Sequence, residues 1–211
     1  MKNLRRIFFN WIFCQWSKIY SYKNSVQWKA RKSLIYTRWI RWFLGECPED
    51  SSILYPCVLQ GDAKKIRIGH HTCIQSHSIL GCWRKYGNDL FEPTIIIGNN
   101  CSVGEFNQIT ACNKITIGDG LLTGRYVYIG DNSHGDLSWE ESTIPPIKRS
   151  LKSKGEVVIG NNVWIGDKAT ILPGVKIGDN VIIGANSVVT HDVPSNCVAV
   201  GMPAKIVKKL E

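Results

Sequence analysis

The chain has no CxxC pair among its eight cysteines, no acidic residue in its first 45 positions, and no signal peptide with a small-residue cleavage site. Each absence removes a class. Without a disulfide framework the thiols point to a reduced, cytoplasmic setting, where Cys73, Cys101 and Cys112 read as small core hydrophobes. The longest apolar stretch near the start, IFFNWIFCQW, is too short and interrupted to span a bilayer, so no membrane crossing is expected. Charge is unevenly spread. Lys and Arg exceed Asp and Glu by 26 to 17, but ten of the basic residues fall within residues 1–45. The rest of the 211-residue chain is near neutral. Its body is therefore no polyanion binder, and no nucleic-acid partner is expected.

What is present is a period of six. Ile159, Ile165, Ile171, Ile177, Ile183 and Val189 stand six apart, with Gly following at 160, 166, 178 and 184. The same spacing recurs upstream as Ile68, Ile74, Leu80, then Ile97, Val103, Ile109, then Ile117, Thr123, Ile129. Six fits neither a helix nor an alternating strand over this length. It fits a solenoid in which each hexad makes one short strand and one corner, and three hexads close a triangular coil. The aliphatic residue then points inward and stacks on its equivalent in the next coil. Five such coils would stand roughly 24 Å tall. Two segments leave the pattern, 81–93 and the polar stretch between Ile129 and Ile159. Insertions in solenoids map to corner loops, commonly on the binding side.

The run IGNNVWIGDKATILPGVKIGDNVIIGANSVVTHDVPSNCVAVGMPAKIV, together with DNSHG, resembles the hexapeptide-repeat acyltransferases over about residues 66–208. It is similar to the maltose and galactoside O-acetyltransferases and to the bacterial polysaccharide O-acetyltransferases. The resemblance implies an all-β fold, a left-handed parallel β-helix (hexapeptide-repeat solenoid) over 51–211. A basic, aromatic N-terminal helical segment over 1–50 precedes it. It also implies a homotrimer with active sites between subunits, acetyl-CoA as acyl donor, and a sugar or glycan hydroxyl as acceptor. The expected activity is O-acetyl transfer in surface-polysaccharide biosynthesis. A small free acceptor (sugar, serine, antibiotic) and a non-catalytic scaffold stand as alternatives.

An alcohol is a poor nucleophile near neutral pH, so the reaction needs a base, and the resemblance assigns that role to His134. Asp131, with Asn132, either fixes the imidazole tautomer or shapes the turn; both readings stay open. The family's oxyanion donor, a backbone N–H, falls at Asp167. Donor-binding positions match Trp164, Asp167, Ala185 and Thr190, with Lys205 and Lys208 as cations for phosphate. On the acceptor side the matched residues are Glu105 and, across a one-residue gap, Cys112 or Asn113, a departure from the family's Asn and Asp; Glu105 and Asn107 either bind sugar hydroxyls or line the corner. Lys148, Arg149, Lys152 and Lys154 either meet an anionic acceptor or form a solvated loop. His70, His71 and His77 lack the spacing of a zinc triad, His191 reads as an exposed corner residue, and no metal is expected.

Residues 1–45 carry five tryptophans and no hexads. Trp28, Ile35, Trp39 and Trp42 fall on one helical face beside Arg31, Arg38 and Arg41. Two readings follow: peripheral contact at the inner face of a membrane, or a helical cap over the first coil.

Overall fold

The computed structural model describes residues 2–19, 21–136 and 138–209. From residue 66 onward the chain feeds three parallel sheets in rotation. Sheet A takes Ile66–Ile68, Thr94–Ile97, Lys114–Ile117, Val157–Ile159 and Lys176–Ile177. Sheet B takes Cys73–Ile74, Ser102–Val103, Leu122–Thr123, Trp164–Ile165 and Ile182–Ile183. Sheet C takes Ile79–Cys82, Gln108–Ala111, Tyr128–Gly130, Thr170–Ile171 and Val188–Val189. Each hexad is thus one face of a coil, and each inward residue meets its counterpart in register. Ile68, Ile97, Ile117, Ile159 and Ile177 form one such column, each buried. Deleting a side chain from a column of this kind costs about 2–5 kcal/mol, because the coils above and below cannot collapse into the gap.

Thr123 is the polar member of the sheet B column. Its hydroxyl accepts from Gly104 N–H at 2.8 Å and from the Asn107 amide, so the buried oxygen is satisfied. The corner from sheet A to sheet B explains the Gly that follows many of the hexad isoleucines. There a side chain from each coil caps the N–H of the previous one: Asp119 for Asn99, Asn161 for Asp119, Asp179 for Asn161, and Ser195 for Asp179. A Cβ on Gly160 would fall 2.5 Å from the Asp179 carboxylate, so only glycine admits this ladder.

The coil starts earlier than the hexads indicate. Ser52–Ile53 joins sheet B beside Cys73–Ile74, and Val58–Gly61 joins sheet C beside Ile79–Cys82. A 3-10 turn at Ala63–Lys65 lengthens the step to the next strand and hides the period. At the far end Cys197–Gly201 pairs with sheet B and turns back into Ala204–Lys209, an antiparallel strand that closes the edge.

Two helices precede the sheets, α1 (Lys2–Ile19) and α2 (Tyr22–Ile40). Ser21 caps α2, accepting from Asn24 N–H at 3.2 Å. The last turns of α2 sit on the first coil. Thr37 Oγ donates to Ile53 O at 2.8 Å and accepts from Ile53 N–H at 3.0 Å, while Ile40 and Leu44 are buried. The remaining aromatic surface faces outward, with Trp28, Trp39 and Trp42 exposed by 60, 56 and 80 % and Phe8, Phe13 and Trp16 similarly bare. No helix among the described residues is long and apolar enough to cross a membrane.

Burial pushes the thiols of Cys57, Cys82 and Cys112 up to about 12. The Asp62 and Asp131 carboxylates add to the effect at Cys82, and Asp131 adds to it at Cys112. A thiol ordinarily ionises near about 8.5. The neutral form is therefore favoured in the folded chain, and its contribution is intact below about 8.5 and lost as pH rises toward 12. Thermal melts between pH 8 and 11 should show falling stability, with a shallower decline in the Cys82→Ala protein. Equal slopes would contradict this assignment.

Candidate active site

The two segments that leave the coil return to the same corner, between sheets C and A. The second begins just after Tyr128–Gly130. Ser133–His134 forms a short strand antiparallel to Leu151–Lys152, with His134 opposite Leu151, and Gly135 N–H bonds Ser150 O at 2.9 Å. Backbone pairing thus fixes the His134 main chain while its side chain stays exposed. Between those strands lie α3 (Trp139–Ser142), capped by Ser138, and a 3-10 turn at Pro146–Lys148. The first segment is a hairpin, Lys85–Tyr86 against Asp89–Leu90.

Together they roof the outer surface of sheet C over a cavity of about 270 Å³. Gln108, Thr110 and Tyr128 form its floor, Trp83 and Tyr86 one wall, and Asn132, Leu151 and His134 the other. Gly130 leaves room for the Tyr128 hydroxyl, which would lie 2.3 Å from a Cβ there. Trp83 Nε1–H donates to Thr110 Oγ1 at 3.0 Å, which fixes the indole plane. Burial, and then the Asp131 charge, raise the Tyr128 phenol above its ordinary value, so it remains a neutral donor. Apart from the imidazole, the cavity lining carries no charged side chain.

Asp131 is fully buried beneath this site. Its oxygens accept from Cys112 N–H at 2.8 Å and Asn113 N–H at 2.9 Å, and Asn132 Nδ2 donates to it at 3.0 Å. Its hydrogen bonds therefore tie the corner to the preceding coil, and none reaches the imidazole. Asn113 lies on the same corner, its amide 3.4 Å from Ser153 Oγ. Thr190 follows the last sheet C strand and shares this edge, its hydroxyl 2.8 Å from His191 Nδ1.

Glu105, Asn107, Asp167 and Ala185 stand on a different edge, the corner from sheet B to sheet C. Glu105 pairs with Arg125 at 3.1 Å. Asn107, read as either a sugar contact or a corner residue, is 2 % exposed, donating to Thr123 and accepting from Val127 N–H at 2.7 Å. Its amide is spent on the corner. Asp167 occupies the same edge two coils on, its carboxylate accepting from Arg125 N–H at 2.7 Å. Among the described residues its own N–H donates to nothing. Ala185 follows one coil later, beside Gly166. Within one chain the width of sheet C separates the edge of Thr190 from that of Asp167 and Ala185.

Trp164 lies on the outer surface of sheet B in a register row that runs Leu122, Trp164, Ile182, Val198, Lys208. Leu122 and Trp164 are half exposed, and Lys205 extends from the same last strand. The row of apolar side chains runs about 14 Å from the tryptophan to a cationic end, counting strand spacings. His70 Nδ1 sits 2.9 Å from Asp50, His71 Nε2 3.6 Å from the same carboxylate, and His77 stacks on Phe106. Among the described residues no three or more His, Cys, Asp or Glu side chains gather as a metal cluster.

Trp83, Tyr86, Gln108, Thr110 and Tyr128 are absent from the residues assigned by sequence. The one signal was the turn-like GND at 87–89, which indicates a hairpin but not where it lands.

Residues 156–191 match the model of the bacterial transferase hexapeptide (six repeats). The chain is 41 % identical over 119 residues to the putative lipopolysaccharide biosynthesis O-acetyl transferase WbbJ of Escherichia coli (strain K12), covering 54 % of this chain and 60 % of that protein. It is 40 % identical over 136 residues to the galactoside O-acetyltransferase of the same strain, covering 58 % and 62 %. It therefore spans about six tenths of the length of these curated relatives. A hexapeptide-repeat-containing acetyltransferase from Vibrio cholerae O1 biovar eltor, solved complexed with acetyl coenzyme A, superposes with a TM-score of 0.52 at 26 % identity, over 81 % of this chain and 74 % of that one. Residues 156–191 thus carry the hexapeptide repeat, and over its coils the chain resembles the O-acetyltransferases built on that repeat.

Proposed function

We propose that the chain is an acetyl-CoA-dependent O-acetyltransferase, a left-handed coil assembled as a homotrimer, that transfers acetyl directly to a sugar hydroxyl with His134 as general base. One observation carries this reading: the exposed imidazole stands at the mouth of a small cavity whose other lining side chains are uncharged. A ring-sized, neutral, hydroxyl-bearing acceptor suits that chemistry better than an anionic one. The basic residues of the 148–154 loop then serve solvation. His134 takes the hydroxyl proton as the acceptor oxygen forms its bond to the acyl carbon, and returns it to the departing thiol as the carbon–sulfur bond breaks. The Asp167 N–H donates to the carbonyl oxygen as charge builds there. No protein nucleophile is needed, and the raised Cys112 thiol is a poor candidate for one.

His134 and Asp167 occupy different edges of successive coils, which favours a site completed by a second copy. Trp164 with Lys205 and Lys208 would hold the pantetheine arm and nucleotide phosphates of the donor, which in the bound state supplies the activated acyl group. The similarity to WbbJ supports a polysaccharide or lipid-linked sugar as acceptor. Release of free thiol from acetyl-CoA, screened against neutral, amino and acidic sugars and small antibiotics, tests the reading. Turnover with neutral sugars is expected; release with none of the panel would favour the scaffold reading, and preference for acidic sugars would contradict the neutral pocket.

The same proposal sets the N-terminal helices at an anionic membrane surface. Thr37, Ile40 and Leu44 cap the coil, while the outward Trp and Phe residues and the acid-free basic segment are left to meet lipid. The full chain should co-sediment with vesicles containing anionic lipid and lose much of that binding in the Trp28→Ala/Trp39→Ala/Trp42→Ala protein. Equal binding to neutral vesicles, or none to either, would contradict it.

A further inference from the structure

The hairpin and the long loop are far apart in sequence, yet Tyr86 touches both sides of the junction between them. Its hydroxyl donates to Ile147 O at 2.7 Å, and its ring stands edge-on to the His134 imidazole, centroids 5.2 Å apart and planes inclined by 64°. We propose that Tyr86 is the positioning residue of His134: its ring selects the imidazole orientation, and its hydroxyl locks the hairpin to the loop so that both insertions move as one unit. The inference rests on the reading of His134 as the base.

The physical case is one of elimination and supply. Pairing with Leu151 fixes the His134 backbone but leaves its side-chain torsions free. Hydrogen bonds usually restrict such a ring, and among the described residues none reaches either imidazole nitrogen. Of the carboxylates close in sequence, Asp131 is committed to the N–H groups of 112 and 113, and among the described residues no hydrogen bond or ion pair joins Asp136 to the imidazole. The aromatic edge contact is what remains, and contacts of this kind contribute about 0.5–1.5 kcal/mol. That is enough to favour one side-chain orientation over its alternatives while leaving both nitrogens available to a proton. A hydrogen-bonded orienter would occupy one of them. The hydroxyl has a separate task. The Tyr86 bond ties the hairpin to the 144–149 loop at Ile147.

Two variants separate the ring from the hydroxyl. Tyr86→Phe keeps the ring and Tyr86→Ala removes both. The first readout needs no acceptor: the His134 imidazole C–H resonances, identified by their loss in His134→Ala, should be displaced by the tyrosine ring current in wild type and Tyr86→Phe. In Tyr86→Ala they should move toward the position of a free imidazole. The second readout is steady-state kinetics with whichever acceptor is turned over. In Tyr86→Ala kcat should fall about threefold to tenfold with the acetyl-CoA KM unchanged, and Tyr86→Phe should recover most of the loss. Identical resonances in Tyr86→Ala and wild type, equal slowing in both variants, or a rise in donor KM at constant kcat would each overturn the proposal. If wild type acetylates nothing, the acyltransfer reading fails, and the resonances still decide whether Tyr86 orients the ring.

Discussion

Turnover of the His134→Ala protein falls by about 10²–10⁴-fold, the usual share of a positioned general base, while its affinity for acetyl-CoA stays within about twofold. The fold should tolerate the change. His134 is exposed and its strand pairing uses only the backbone, so the melting temperature barely moves. Neighbouring groups cannot take over its task. Asp131 is buried and occupied by two N–H donors, and Glu141 accepts from Asp136 N–H. What activity remains would come from substrate positioning and the oxyanion donor. Kinetics with the acceptor found by thiol release, beside isothermal titration with CoA, separate the two quantities. An unchanged rate removes His134 from the chemistry, and a matched loss of CoA affinity assigns it to binding.

The second large effect concerns the division of the site between copies. Gly166 to Ala169 form a tight turn, closed by Ala169 N–H to Gly166 O at 3.3 Å, with Lys168 at φ +59°. That is the pattern of a type II turn, whose second position accepts proline. Asp167→Pro therefore deletes the N–H with little backbone cost, and turnover should fall about 10²–10³-fold, as for loss of an oxyanion donor. Asp167→Ala removes only the carboxylate that caps Arg125 N–H, so it should lose stability but little rate. Alone, His134→Ala and Asp167→Pro should each keep at most about a hundredth of the wild-type rate. Co-assembled at random, about a quarter of intersubunit junctions would pair an intact imidazole with an intact N–H, and activity should return to about that fraction. No recovery on mixing would mean that both groups serve one chain, or that Asp167 serves neither.

The coil was legible because its constraint is strictly local. One inward aliphatic side chain per short strand repeats at six, and Ile159, Ile165 and Ile171 land in three different sheets as that spacing requires. The period fails where a turn changes the step, which is why the hexads do not reach the strands at Ser52–Ile53 and Val58–Gly61. Site residues were less legible, since outward positions of a sheet carry no periodic restraint. Asn107 looks like a polar residue available to substrate, but its amide completes the buried Thr123 pair, and a sequence does not reveal which polar groups are spent inside. Tyr86 and Trp83 could not be assigned because the landing point of a hairpin depends on the loop it meets. The N-terminal helices show both behaviours: Thr37 and Ile40 cap the coil, whereas Trp28 and Trp42 face outward.

The central claim is that an imidazole on one chain and an N–H on its neighbour converge on a thioester. A crystal structure of the assembled protein with CoA tests it most directly. The account predicts a trimer in which the CoA sulfur lies within about 3–4 Å of the His134 ring of one subunit and beside the Asp167 N–H of the next. A monomer, or a sulfur atom lodged away from the junction between chains, would contradict it.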